Sequence, residues 1–152
     1  MKTCLAALAF ALAIPAAAQA PDVTKLYQVT TDGSTTKVAA GQKGKLVLTI
    51  KLDKAAHVSD EAPLKIALTG AGGAAPEKAA LAYADQVSKK AAGEKYANPV
   101  VFEVPFAVDA ATKAGSAAVN AKMTFFVCTE QICSRQQKEV SLPVQVCGGK
   151  TC

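Results

Sequence analysis

Lys45-Leu46-Val47-Leu48-Thr49-Ile50-Lys51-Leu52 is the stretch whose reading decides the fold class. In an extended chain Leu46, Leu48, Ile50 and Leu52 fall on one face, and Lys45, Thr49 and Lys51 fall on the other. A period of two is the signature of a half-buried β-strand. The same alternation recurs outward from this stretch. Leu64, Ile66 and Leu68 alternate with Lys65 and Ala67, and Phe102, Val104, Phe106 and Val108 with Glu103 and Pro105. Val119, Ala121, Met123, Phe125 and Val127 alternate with Asn120, Lys122 and Thr124. Val140, Leu142, Val144 and Val146 alternate with Ser141, Pro143 and Gln145, and a weaker strand is expected over 25–30. Turn signals at Asp32-Gly33, Gly41-Gln42-Lys43-Gly44 and Ala114-Gly115 separate these runs. Pro105 and Pro143 each remove a ladder donor, so each is expected at a sheet edge or a bulge. Six or seven short strands with one apolar face apiece must bury those faces against one another, and a two-sheet sandwich does so.

One region departs from the alternation. Residues 71–98 are rich in Ala, Gly and Lys, and Pro76 to Asp85 has the propensity for a short helix without a clear apolar face. The expectation is a long, mobile Ala/Lys-rich insertion between strands, with room for a short helix. Its Thr69-Gly70-Ala71-Gly72-Gly73 lead-in has no apolar helix after it, as a phosphate loop requires, and reads as a flexible turn.

The N-terminus reads as a secretory leader. Lys2 is followed by an unbroken apolar run from Cys4 to Ile14, then Pro15 and the small residues Ala16-Ala17-Ala18-Gln19-Ala20. This is the layout of a signal peptide with an A-x-A-type site. The run is far short of the ~20 residues that span a bilayer. The expected organisation is a signal peptide over 1–18, cleaved after 18 or 20, then one domain over 19–152 with a cysteine-containing tail from 147. Cleavage after Ala18 avoids placing Pro21 directly after the cut. The mature chain shows no transmembrane segment, and the expected location is periplasmic or secreted. Removing Lys2 leaves a mild basic excess from the 17 Lys+Arg against 12 Asp+Glu of the whole sequence. The lysines are scattered, Arg135 is the sole arginine, and no aromatic-studded basic stripe supports nucleic-acid binding.

Export also changes the cysteine arithmetic. Of the five cysteines, Cys4 goes with the leader, and Cys128, Cys133, Cys147 and Cys152 remain in an oxidising compartment. Cys128 ends one strand, and the next is expected to begin near Glu139. In that hairpin Cys128 would lie opposite Glu139, and Cys147 opposite Asn120. The two pairs would stand on the order of 26 Å apart at about 3.3 Å per residue, whereas bridged Cα atoms lie within about 7 Å. Geometry therefore favours Cys128–Cys133 with Cys147–Cys152. It also argues against a four-cysteine zinc site, whose knuckles are shorter. Closing a six-residue loop constrains the unfolded chain by about 2 kcal/mol. Glu130 would raise a nearby thiol pKa, while Arg135 and Lys138 would lower it. These features leave Cys128–Cys133 open between a structural staple and a redox pair.

The segment Phe125-Phe126-Val127-Cys128-Thr129-Glu130-Gln131-Ile132-Cys133, followed by a Val/Leu-rich final strand, resembles the N-terminal periplasmic domain of the thiol:disulfide interchange protein DsbD. His57-Val58-Ser59-Asp60-Glu61-Ala62-Pro63-Leu64 and the Gly41 to Ile50 lead-in are similar to the same family. The resemblance runs from about Tyr27 to Val146 and implies an immunoglobulin-like sandwich. It implies that Cys128 and Cys133 form a redox pair exchanging electrons with thioredoxin-like periplasmic partners. Ser134-Arg135-Gln136-Gln137 stands where family members often carry an aromatic and prolines, and Cys147 and Cys152 lie outside the family pattern.

No other constellation carries chemistry. His57 is the only histidine, and nothing in the sequence places it near Cys128, so it reads as a surface or strand-end residue. Asp60 and Glu61 are adjacent and point apart in an extended segment, which suits a solvated turn. Met123 reads as core, and neither a metal nor another cofactor is expected. The sequence thus predicts an all-β, immunoglobulin-like domain with two functional readings. One is thiol–disulfide exchange, an oxidoreductase activity, through Cys128 and Cys133. The other is a non-catalytic secreted binding or structural module with two structural disulfides.

Overall fold

A computed structural model of the chain describes residues 22–148 and 152; the expected leader lies outside the described residues. The strands are β1 (Tyr27–Thr30), β2 (Lys37–Ala39), β3 (Lys43–Leu52), β4 (His57–Val58), β5 (Lys65–Ala71), β6 (Ala74–Pro76), β7 (Ala80–Ala82), β8 (Val100–Val108), β9 (Gly115–Cys128) and β10 (Cys133–Cys147). Among the described residues the helical content is two single 3-10 turns, Val23–Lys25 and Tyr83–Asp85. One sheet runs β1-β3-β8-β6, and the other runs β2-β10-β9-β5-β7 with β4 also on β9. Their apolar faces pack as an all-β, immunoglobulin-like sandwich.

The alternating positions do what their spacing demands. Leu46, Leu48 and Ile50 of β3 and Phe102, Val104 and Phe106 of β8 are at most 1% exposed. They meet Ile66 of β5 and Val119, Met123, Phe125 and Val127 of β9, all fully buried. Burying one side chain of this size stabilises by roughly 1.5–3 kcal/mol, so the core is an extended contact between sheets. Gly44 of β3 leaves the space that the Phe106 ring fills.

Both prolines sit where no ladder donor is needed. Pro143 lies on the stretch of β10 that β2 leaves uncovered, because β2 pairs only with Gln145–Cys147. Pro105 accepts a hydrogen bond from the Glu77 amide at 2.9 Å, just past the last β6–β8 pair, Pro76↔Phe106.

Three expectations need correction. The 71–98 region supplies strands to both sheets: β6 joins β8, and β7 joins β5. Leu81 and Ala74 enter the core, and only the 3-10 turn Tyr83–Asp85 is helical there. The Gly72-Gly73 turn, with φ of 63° and 87°, carries the chain from β5 to β6 and hence between the sheets. The first strand begins at Tyr27, because 23–25 curl into a 3-10 turn capped by the Asp22 carboxylate. Most consequential, β10 begins at Cys133, well before Glu139. The ladder pairs Cys133 with Cys128 and Glu139 with Lys122, and it ends at Val146↔Gly115.

Candidate functional site

The corrected register builds the site. Along β9 the odd-numbered residues from Ala117 to Val127 face the core, so Cys128 points to the outer face of its sheet. Cys133 is its direct partner on β10, and His57 is its direct partner on β4. Directly paired residues share a face. His57, Cys128 and Cys133 therefore form a row across three adjacent strands. Val58 and Val127, one residue away, form the core pair that anchors β4 there, and Val58 is 1% exposed.

Thr129 shapes the turn between the cysteines. Its amide donates to the Ile132 carbonyl at 2.8 Å, and its Oγ1 accepts from the Gln131 and Ile132 amides, each at 3.2 Å. The turn is thus held by hydrogen bonds of its own, and the Cys128–Cys133 disulfide closes it at a Cα separation of 4.0 Å. The two sulfur-bearing residues differ sharply in access: Cys128 is 2% exposed, while Cys133 is exposed. Ile132 beside it is 38% exposed.

A cleft of about 1060 Å³ opens beside this turn. Thr129, Glu130 and Gln131 form one wall, His57 and Lys54 another, and Glu94 to Asn98 the third. The third wall is fixed by Asn98, whose side chain accepts from the Leu52 amide at 3.1 Å and donates to the Leu52 carbonyl at 2.8 Å. That clamp and the buried Ala97 hold Tyr96 on the His57 ring, with centroids 3.7 Å apart and planes within 8°. The Lys95 ammonium lies 5.0 Å from the same tyrosine ring. Burial holds the His57 imidazole below its ordinary pKa; nearby Asp60 opposes this, and Lys95 reinforces it.

Among the charged neighbours expected at the cysteines, Glu130 lines the cleft, and Arg135 stands on the outer face opposite Phe126. Lys138 pairs with Met123 instead, roughly 16 Å down the ladder at about 3.3 Å per residue, too far to act on the thiols. Asp60 and Glu61 lie in a bend after β4, and Asp60 still acts on His57. The Cys147–Cys152 disulfide lies at the far end of β10, where Cys147 pairs with Ala39 of β2.

Two features escaped sequence reasoning. His57 is opposite Cys128, and only the pairing of a two-residue strand reveals it. Gln136 is 6% exposed and faces the core, where its Oε1 accepts from the Tyr27 hydroxyl at 3.1 Å. Among the described residues no group of three or more His, Cys, Asp or Glu side chains converges as a metal site would, and no helix is long and apolar enough to cross a membrane.

A family model described as the N-terminal part of the thiol:disulfide interchange protein DsbD matches residues 23–145. That span includes β1 to β9, the cysteine turn and nearly all of β10. A search of curated proteins found no match.

Proposed function

The chain belongs to the family of the DsbD N-terminal domain, and on that premise we propose that it is a periplasmic thiol–disulfide exchange domain working through Cys128 and Cys133. The observation that carries the reading is the asymmetry of the pair: Cys133 is exposed, whereas Cys128 is 2% exposed. Exchange proceeds by attack of a thiolate on an accessible sulfur. A partner thiolate reaches Cys133, forms a mixed disulfide with it, and expels Cys128 with the bonding electron pair. A second partner thiolate then frees Cys133, and the domain is left reduced. In the opposite direction Cys133 attacks a partner disulfide, and Cys128 resolves the mixed species. The partners are thioredoxin-like proteins, and the exposed Ile132 offers them an apolar contact next to the reacting sulfur.

Trapping tests this. Cys128→Ala leaves the exposed thiol without its resolving partner, so it should accumulate a mixed disulfide with a thioredoxin-like protein lacking its own resolving cysteine. Cys133→Ala leaves only the 2% exposed sulfur and should trap far less. Absence of any mixed disulfide from both folded variants would favour a binding or structural module instead.

A further inference from the structure

We infer that His57 is the proton acceptor for Cys128 when the reduced pair closes on a mixed disulfide. The inference rests on the exchange chemistry proposed above and adds a residue to it. Two observations carry it. The register sets His57 directly opposite Cys128 on the outer face, on the strand edge away from Cys133. Side chains so paired have Cβ atoms about 5 Å apart, within reach of an imidazole and a thiol. The ring is also held in place, stacked on Tyr96 at 3.7 Å.

The chemistry supplies the need. Cys128 is 2% exposed, and burial keeps a thiol protonated and unreactive. Cys133 reaches solvent and can shed its proton there. Cys128 needs an acceptor inside the fold, and a neutral imidazole is one. Burial favours that neutral form at His57. The groups around the ring are mixed in sign: Asp60 after β4, Lys54 before it, Glu94 and Lys95 beside Tyr96, and Glu130 on the cysteine turn. No single charge there overrides the effect of burial.

The balanced sequence is short. Cys133 thiolate attacks a disulfide R–S–S–R′, its S–S bond breaks, and R′S⁻ leaves and takes a proton from solvent. The Cys128 S–H proton passes to His57. The Cys128 thiolate attacks Cys133 Sγ, the Cys128–Cys133 bond forms, and RS⁻ leaves with the electron pair. The imidazolium then returns its proton to RS⁻ or to water. Two thiols have been oxidised, and one disulfide has been reduced to two thiols.

The test uses the reduced protein and dithiobis(nitrobenzoate), with released thionitrobenzoate followed by absorbance. The first equivalent reports attack by Cys133, and the second reports closure by Cys128. In His57→Gln, and in His57→Phe, which keeps a ring for Tyr96, the second phase should slow about 100-fold relative to the first, the usual scale of one general base. It should also lose its inflection below neutral pH. A second phase with the wild-type rate and pH profile in both variants would overturn the role of His57 while leaving the exchange reading intact. A wild-type protein that releases no second equivalent would overturn the exchange reading itself.

Discussion

A pair that cycles must be dispensable to the fold, and the structure says how dispensable. Consider replacing Cys128 and Cys133 together by alanine. The disulfide closes a loop of six residues, and the loop-entropy relation assigns it about 2 kcal/mol. It lies on the outer face of the sheet, apart from the contact between sheets made by Phe102, Phe106, Met123 and Phe125. The turn keeps its own hydrogen bonds through Thr129, and the β9–β10 ladder continues to Val146↔Gly115 without it. The loss should therefore be about 2–3 kcal/mol, allowing for the buried Cys128 side chain. Domains of this size have roughly 5–15 kcal/mol in total, so the variant should fold. Urea titration followed by circular dichroism measures this: the midpoint should fall while the slope stays constant. An unfolded variant, or a loss above about 5 kcal/mol, would mean that the disulfide is a staple on which the sandwich depends.

Two further outcomes are expected. Gln136→Ala should cost about 1–3 kcal/mol, because the part-buried Tyr27 hydroxyl loses its 3.1 Å partner inside the sandwich; a urea midpoint equal to wild type would show that this bond contributes nothing. His57 makes stability depend on pH. Its folded pKa lies below the ordinary 6.5, so the unfolded chain binds the proton more readily. Its contribution is fully present above about pH 6.5 and is lost as pH falls through the folded value. The melting temperature of wild type relative to that of His57→Gln should therefore fall as pH drops below about 6.5, and a relative rise in acid would contradict the assignment.

The sandwich was legible in the sequence wherever one face of a strand is purely apolar. Leu46 to Leu52, Phe102 to Val108 and Val119 to Val127 declare their own faces through spacing alone. The first half of β10 does not, because its core-facing positions include Ser134 and Gln136, which are polar, and Lys138, which is exposed. Alternation is therefore visible only from Val140 onward, although the strand starts at Cys133. β2, β6 and β7 are three residues each, too short for a period to appear, and Ala74 and Leu81 reach the core from an alanine-rich context that conceals them. The cysteines were legible as a short-spaced pair and as the mark of a family. The histidine was not, because its place opposite Cys128 depends on β9 pairing with a two-residue strand some 70 positions earlier, and no local pattern encodes that.

The central claim is that Cys128–Cys133 is used in exchange and not merely kept. Its reduction potential, obtained by equilibrating the protein with glutathione or thioredoxin buffers, tests this most directly. The account predicts a value above about −300 mV, within reach of thioredoxin-like partners. A value well below that would mark a bond that such partners leave intact, and it would contradict the exchange function.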